Sequence, residues 1–463
     1  MGAAALILAA GEGTRMRSDL PKVAHRILGV PLIELAVDGA RQAGCDPIIV
    51  VTGHGAEIVE SLLPGGRFVR QDRQLGTGHA VMCAEDSLAG LDGPLVVLSG
   101  DTPLMRPQTI GRLVETQRST SAAAVVLTSR PENTAGYGRI VRDDGGDLEA
   151  IVEQKDLAPG QEAIGEVSTG TYCFDAAALF AHLHRISDDN AQGELYLTDM
   201  IALFRSEGMK VIAVETDEPL EAMGVNSRVQ LADAARTLQR WVNESHMLAG
   251  VTMTAPDLVW IAPSVRIGRD VVIEPMSFLM GSTVVGDAAT IGPNARLTDA
   301  HVGPGAVVDS SVLVGARVGA GASVGPVAYL RQGTVLADGA KAGACVEIKN
   351  STVGEGSKVP HLSYIGDATI GADVNVGAGT ITCNYDGREK HPTVIGDGAF
   401  IGSDTMLVAP VTVGEGATTA AGSAITRDVP PGSLAVERSE QRTVQGWAAK
   451  RAGRGDDSEE SAQ

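Results

Sequence analysis

Residues 395–424 read IGDGAF IGSDTM LVAPVT VGEGAT TAAGSA, and the next residue is Ile425. An aliphatic or small residue recurs every sixth position, at Ile395, Ile401, Leu407, Val413, Thr419 and Ile425. A glycine often follows it, and a small residue returns at the fifth place. Neither a helix nor an ordinary strand repeats at six. This is the hexapeptide period of a parallel β-helix, in which each hexapeptide supplies one face of a triangular, left-handed coil. The aliphatic residue fills the prism, and Gly or Asn permits left-handed backbone at the corners.

The same rhythm runs back through Val353, Val359 and Ile365, and through Val318, Val324, Leu330, Leu336, Ala342 and Ile348. Before a slip in register it occupies Ile261, Ile267, Ile273, Leu279, Val285, Ile291 and Leu297. Residues 251–436 therefore predict about nine coils. One polar stretch, TITCNYDGREKHPTV, interrupts the repeat between Val376 and Ile395 and predicts an inserted loop on a binding face.

Ahead of Gly250 the pattern is different. Ala3–Ala10, Pro47–Thr52 and Pro94–Ser99 read as buried strands, and Pro31–Ala43 as a helix with Gly44 as its C-cap. Alternating strands and helices predict an α/β, Rossmann-like domain with a mostly parallel sheet. Such sheets bind ligands beyond the carboxyl ends of their strands, where Gly11–Arg17 and Gly100–Asp101 fall. Residues 227–247 predict a helix between domains, with Val229, Ala232, Leu238 and Val242 near one stripe. The expected division is 1–226 for the α/β domain, 227–249 for a connecting helix and 250–438 for the β-helix. The polar, acidic segment 439–463 is expected to be largely disordered.

Composition narrows the function. In 463 residues there are 57 glycines and only 3% aromatic residues, as suits a repetitive β-architecture. A net charge of −20 argues against nucleic acid or an anionic membrane as partner. Cys45, Cys83, Cys173, Cys345 and Cys383 show no CxxC spacing, which fits a reducing compartment. The apolar run at the start is too short to span a bilayer and no basic residue precedes it, so a cytoplasmic protein is expected.

Two sites of chemistry stand out. Leu8-Ala9-Ala10-Gly11, Arg15 and Lys22 form a strand, a glycine-rich turn and two cations, suited to phosphate oxygens. Asp101 ends an apolar strand, a poor core residue but a natural Mg²⁺ ligand. In the β-helix, Arg331 and Lys349 lie one full coil of 18 residues apart and should stack on one face. His361, Tyr364, Asn375 and the pair Asn384-Tyr385 also depart from the small-and-aliphatic rule. Of these, His361 is the residue whose ordinary pKa best suits a general base near neutral pH. The register slips between Lys349 and His361, so the face that carries His361 stays open at this point.

The string LAAGEGTRM (8–16) with Pro21-Lys22 resembles the sugar-phosphate nucleotidyltransferases. Gln71, Gln74–Gly78, Ser99–Asp101, Gly136–Gly138, Glu153 and Gly224–Asn226 follow in that family's order. With GAGTITCNYDG (377–387) and IGSDTMLVAPVTVG (401–414), the resemblance over residues 3–447 is to the bifunctional uridylyltransferase/acetyltransferase family GlmU. The resemblance implies acetylation of glucosamine-1-phosphate by acetyl-CoA. Transfer of UMP from UTP to N-acetylglucosamine-1-phosphate follows, for bacterial cell-wall precursor synthesis.

It also implies roles. Leu8, Ala9, Ala10, Gly11, Arg15, Lys22, Gln71, Gly76, Thr77, Gly138, Glu153, Ser168 and Asn226 contact nucleotide or sugar, and Asp101 and Asn226 hold Mg²⁺. His361 is the acetyl-transfer base. Arg331, Lys349, Tyr364 and Asn375 hold the amino-sugar phosphate, and Ala378, Asn384, Tyr385, Ser403, Ala421 and Arg438 line the acetyl-CoA site. A homotrimer with sites between β-helices is implied as well. The sequence departs from the family at Ser168, where Asn is usual and the shorter hydroxyl offers fewer hydrogen bonds, and at Ser99, where Tyr is common. Two other readings are a nucleotidyltransferase with a merely regulatory β-helix, as in ADP-glucose or GDP-mannose synthesis, and a structural repeat protein. The first has no need of His361 or the Asn384-Tyr385 loop, and the second would not need to keep Asp101 and Asn226 with the complete glycine-rich loop.

Overall fold

A computed structural model describes residues 2–452. The chain forms two compact units, one reaching Ser245 and the other built from the residues that follow, apart from Trp260–Pro263.

The first unit is a sheet with helices on both faces. Its strand order is Val211–Glu215, Ala124–Ser129, Val167–Asp175, Pro94–Ser99, Ala3–Ala9, Cys45–Thr52 and Arg67–Arg70. Only Val167–Asp175 runs against its neighbours along this path. A hairpin, Arg139–Arg142 with Leu148–Val152, extends from it. Ala3–Ala9 and Pro94–Ser99 are almost solvent-free, which is why they read as continuous apolar runs. From Ala3–Ala9 the chain steps outward to Cys45–Thr52 and Arg67–Arg70, then returns to place Pro94–Ser99 on the opposite side. The order therefore reverses at Ala3–Ala9. The crevice at such a reversal is where these sheets take ligands.

The helix Arg228–Leu248 belongs to this unit as far as Ser245. The expected stripe is displaced: Val229 is 71% exposed and Ala232 is exposed. Ala234 instead packs, with Leu231, Ala235, Leu238 and Trp241, against Met16, Ile27, Leu32, Leu104 and Val225. The helix also secures the chain just before it, for Gln230 Oε1 accepts the Asn226 N–H at 2.9 Å.

The second unit is a parallel β-helix of three sheets containing 11, 10 and 9 strands. The aliphatic ladder fills the prism: Ile273, Leu279, Ile291, Leu297, Leu330, Ile348, Ile365, Ile401 and Leu407 are solvent-free. Small residues at the fifth place are buried too. Several are Ser or Thr whose hydroxyl donates to a carbonyl three residues back, as in Ser277→Glu274 (2.8 Å), Thr380→Gly377 (2.7 Å) and Thr405→Gly402 (2.6 Å), or to the next coil, as in Thr334→Ile348 (2.9 Å) and Ser357→Gly371 (2.7 Å). These buried hydroxyls are thus satisfied within the coil stack, whereas the Thr393 hydroxyl is buried without a partner.

The third sheet's 9 strands close about nine complete coils, as expected. Ile291 pairs with Val308 and Val308 with Val324, so these coils fall one and two residues short of three hexapeptides. Two expectations are corrected. Corners are turned in left-handed backbone by aspartates such as Asp270, Asp299, Asp367, Asp373 and Asp404, and even by Val327 and Leu362, as well as by Gly and Asn. The inserted stretch is also shorter than its sequence suggests, because Ile381–Cys383 and Thr393–Ile395 remain strands. What is left closes on itself through a Tyr385–Lys390 bridge.

Within 439–463, Trp447–Ala452 forms a short helix from good helix formers after Gly446, and 453–463 lie outside the described residues. Among the described residues no helix is long and apolar enough to cross a membrane, and all five cysteines are free.

Candidate functional site

At the strand-order reversal lies a cleft of about 270 Å³ lined by Leu8, Ala9, Ala10, Gly11, Lys22, Gln71, Gly76, Thr77 and Asp101. These come from the ends of three parallel strands and the turns beyond them. The turn after Ala9 is braced by another lining residue, since Gln74 Nε2 donates to the Ala10 carbonyl at 2.8 Å. Lys22 sits on a short 3₁₀ turn, and its ammonium pairs with Asp101 Oδ2 and donates to Asn226 Oδ1 at 3.0 Å. Ser99 Oγ donates to the other Asp101 oxygen at 2.6 Å. The Val225 N–H donates to the Asp101 carbonyl at 2.9 Å, which locks 224–226 beside 101. Residues far apart in sequence thereby bring two oxygen donors onto one cation.

Other expected residues fall elsewhere. Arg15 is exposed on the turn Thr14–Met16 and does not line the cleft. Gly138 accepts the Ser168 N–H at 2.8 Å, and a Cβ on Gly138 would lie 3.5 Å from Glu153 Oε2. Burial pushes the Glu153 carboxyl up, partly offset by a hydrogen bond from Thr198. Ser168 is buried, and its hydroxyl meets the Tyr172 hydroxyl at 3.2 Å. Sequence reasoning passed over Glu194, which lines the cleft, and Tyr137. Burial pushes the Tyr137 phenol up, while its hydroxyl bonds the Gly224 backbone near Asp101. Tyr137 lies inside the GYG run, a signal that was available.

In the β-helix, strand register decides the open question about His361. Ala344 pairs with His361 and Val376 with Ile401, which in turn pairs with Thr419. His361, Ala378, Ser403 and Ala421 consequently occupy the same corner of four successive coils. Hydrogen bonds run down this corner from Gly379 N–H to His361 O, Asp404 N–H to Ala378 O and Gly422 N–H to Ser403 O. Arg438 closes it by donating to the Ala421 carbonyl at 2.9 Å. The His361 side chain is exposed.

Arg331, Lys349 and Tyr364 lie on the second sheet, beyond that corner. Leu330 pairs with Ile348 and Lys349 with Gly366, so Arg331, Lys349 and Gly366 are stacked as the 18-residue spacing predicts. Arg331 is paired with Glu347 at 2.9 Å. Lys390, from the inserted loop, lies beside Lys349 and pushes its ammonium down. Asp367 accepts from Asn384 Nδ2 and Asn350 Nδ2, both at 2.6 Å. Asn375 lies on the first sheet next to Lys358, and Tyr385 is 60% exposed. Lys390, Asp367 and Gly366 were missed: one is hidden in a loop, the others look like ordinary corner and repeat residues.

Residues 5–240 match the family model of the MobA-like NTP transferase domain, and residues 392–427 match that of the bacterial transferase hexapeptide (six repeats). The bifunctional protein GlmU of Heliobacterium modesticaldum is 50% identical over 96% of this chain and 98% of its own length. That of Trichlorobacter lovleyi is 49% identical over 97% and 98%. The Streptomyces avermitilis protein is 48% identical over 97% and 94%. The chain belongs to the GlmU family. As a GlmU-family protein it is a bifunctional transferase, with a nucleotidyltransferase half and a hexapeptide acetyltransferase half.

Proposed function

We propose that the two halves act in series on one amino sugar: the β-helix acetylates glucosamine-1-phosphate from acetyl-CoA, and the first unit then transfers UMP from UTP to the product. The products are UDP-N-acetylglucosamine and pyrophosphate. The corner column carries this reading. An exposed histidine heads a run of small residues, and two lysines and an arginine lie on the adjoining face. A regulatory or purely structural β-helix has no use for that arrangement.

In the first unit, the residues present fit a magnesium ion. Asp101 and Asn226 supply oxygen donors that already converge on one cationic group. Magnesium needs oxygen ligands and usually keeps waters and substrate phosphates, so these two protein donors would suffice to hold it. Bound there, the ion offsets charge on the phosphates. The backbone of Leu8–Gly11 and the Lys22 ammonium position UTP. A sugar-phosphate oxygen attacks the α-phosphorus in line, and the P–O bond to pyrophosphate breaks. Glu153, Gly138 and Ser168 face the sugar side, and Arg15 reaches the triphosphate from outside the cleft.

In the second unit, Arg331, Lys349, Lys390 and Tyr364 take the sugar phosphate. Two ammonium groups held side by side favour an anion between them. His361 accepts the proton of the attacking amine, and Ala378, Asn384, Tyr385, Ser403, Ala421 and Arg438 lie along acetyl-CoA, with Asn375 on the sugar. The exposed apolar residues Phe278, Val307, Val312, Tyr329 and Phe400 on the outer faces favour a homotrimer that completes these sites. The enzyme works in the cytoplasm, with domain limits 1–226, 227–249 and 250–438. Assaying the intact protein separately for acetyl-CoA-dependent and UTP-dependent turnover tests the reading, and absence of either activity sinks that half of it.

A further inference from the structure

The Gln71 side chain makes two hydrogen bonds with the same atom. Its Nε2 donates to the Gly76 carbonyl at 3.1 Å and meets His79 Nδ1 at 3.0 Å. A backbone carbonyl can only accept, so the end of the amide facing Gly76 must be the NH₂ group. Both of its protons are then committed, and His79 Nδ1 must accept the second. The imidazole is thereby held as the Nε2–H tautomer. Cys83 Sγ lies 3.9 Å from both ring nitrogens, at the outer limit for sulfur, and a thiol is a weak competitor for Nδ1 beside an amide N–H at 3.0 Å. The opposite end of the amide, Oε1, receives no hydrogen bond from any described residue and is not among the sealed polar atoms. Gln71 itself lines the nucleotide cleft and is only 5% exposed.

We infer that His79 is a positioning residue for nucleobase selection: by pinning the Gln71 amide it presents a fixed acceptor, and no donor, to the base. This rests on the uridylyl-transfer reading of the cleft. An acceptor held there suits the N3–H of uracil. Cytosine offers a lone pair at N3, which Oε1 repels. Without His79 the amide is held by the Gly76 carbonyl alone, and an amide that turns its NH₂ toward cytosine loses the distinction. Neither the sequence pattern nor the overall charge marks His79. It sits in the first turn of the helix Thr77–Cys83 and is not among the residues that line the cleft.

The test compares kcat/KM for UTP and CTP in the intact enzyme, His79→Leu and His79→Asn. The Asn Oδ1 stands on the same Cγ as the histidine Nδ1 and can accept the Gln71 proton; Leu cannot. His79→Leu should reduce the UTP-over-CTP ratio about 10- to 100-fold, the loss expected when one hydrogen bond of a buried polar group is removed. His79→Asn should keep the ratio within about threefold, by the same reasoning. A histidine that serves only to pack the helix would lower Tm and both rates together, and an unchanged ratio in a folded His79→Leu overturns the inference. If that variant does not fold, or the parent uses neither nucleotide, the ¹⁵N spectrum of the intact enzyme's His79 decides. The Nε2–H tautomer supports the lock and the Nδ1–H tautomer refutes it. A parent inactive with UTP would sink the uridylyl reading, separately from the lock.

Discussion

Asn226 presents its Oδ1, at 3.0 Å, to the same Lys22 ammonium that pairs with Asp101. An amide oxygen and a carboxylate from segments more than a hundred residues apart thus face one point at the mouth of the crevice. Asp101→Ala removes the charged member of that pair. Uridylyl transfer should be abolished and acetylation should persist at the parental rate. Equal loss of both activities in a folded variant would contradict the assignment.

A second prediction concerns space on the β-helix. A Cβ on Gly366 would stand 2.5 Å from the Tyr364 hydroxyl and 2.7 Å from Asn384 Nδ2. Both obstacles are ends of side chains, so the coil can keep its backbone by moving them. Gly366→Ala should therefore melt within a few degrees of the parent, as overpacking of ~1 kcal/mol permits. Displacing Tyr364 and Asn384 should raise KM for glucosamine-1-phosphate and for acetyl-CoA, while UTP kinetics stay unchanged. Normal acetylation kinetics would show that neither side chain contacts substrate.

Glu166 supplies a pH-dependent prediction. Burial works against its carboxylate, but hydrogen bonds from Arg142 (2.6 and 2.9 Å) and the charges of Arg142 and Arg130 outweigh it, and its pKa is lowered. A lowered folded-state pKa gives stability that is present above the ordinary value of 4.5 and lost as pH falls through the folded one. The Tm advantage of the parent over Glu166→Gln should be full at pH 6 and shrink below about pH 4.5. A constant difference across that range would show that the ion pairs contribute nothing to folding.

What the sequence made legible follows from physics that acts locally. Six-residue periodicity placed Ile273, Leu330, Ile401 and their counterparts in the prism because nothing else puts an aliphatic residue there so regularly. Apolar runs ending in glycine located the crevice, because buried parallel strands look alike from either side. Register was harder to read. His361 could not be put on a face until strand pairing was known, because coils shortened by a residue or two shift everything after them. Partners contributed by distant turns, such as Lys390 beside Lys349 or Thr198 on Glu153, left no trace in spacing at all. The helix stripe was misjudged at Val229 because that end of Arg228–Leu248 faces solvent, and only Leu231 onward meets the core.

The last prediction tests His361 itself. Its side chain is exposed at the head of the Ala378–Ser403–Ala421 corner, and its backbone carbonyl accepts from Ser363 Oγ at 2.8 Å. The coil is thus held by main-chain contacts and does not depend on the imidazole. If the ring takes the amine proton during attack on the thioester, His361→Ala should slow acetylation by about 10²- to 10⁴-fold. Acetyl-CoA should bind nearly as before, and uridylyl transfer, which belongs to the other unit, should be untouched. Raising the pH should restore part of the rate, since more of the amine is neutral without help. A histidine that merely shapes the corner predicts the opposite pattern: a lower Tm, weaker acetyl-CoA binding and no rescue by alkali. Rates across pH, a melting curve and an acetyl-CoA titration separate the two. A variant that melts normally, binds acetyl-CoA and acetylates within about threefold of the parent removes His361 from the chemistry.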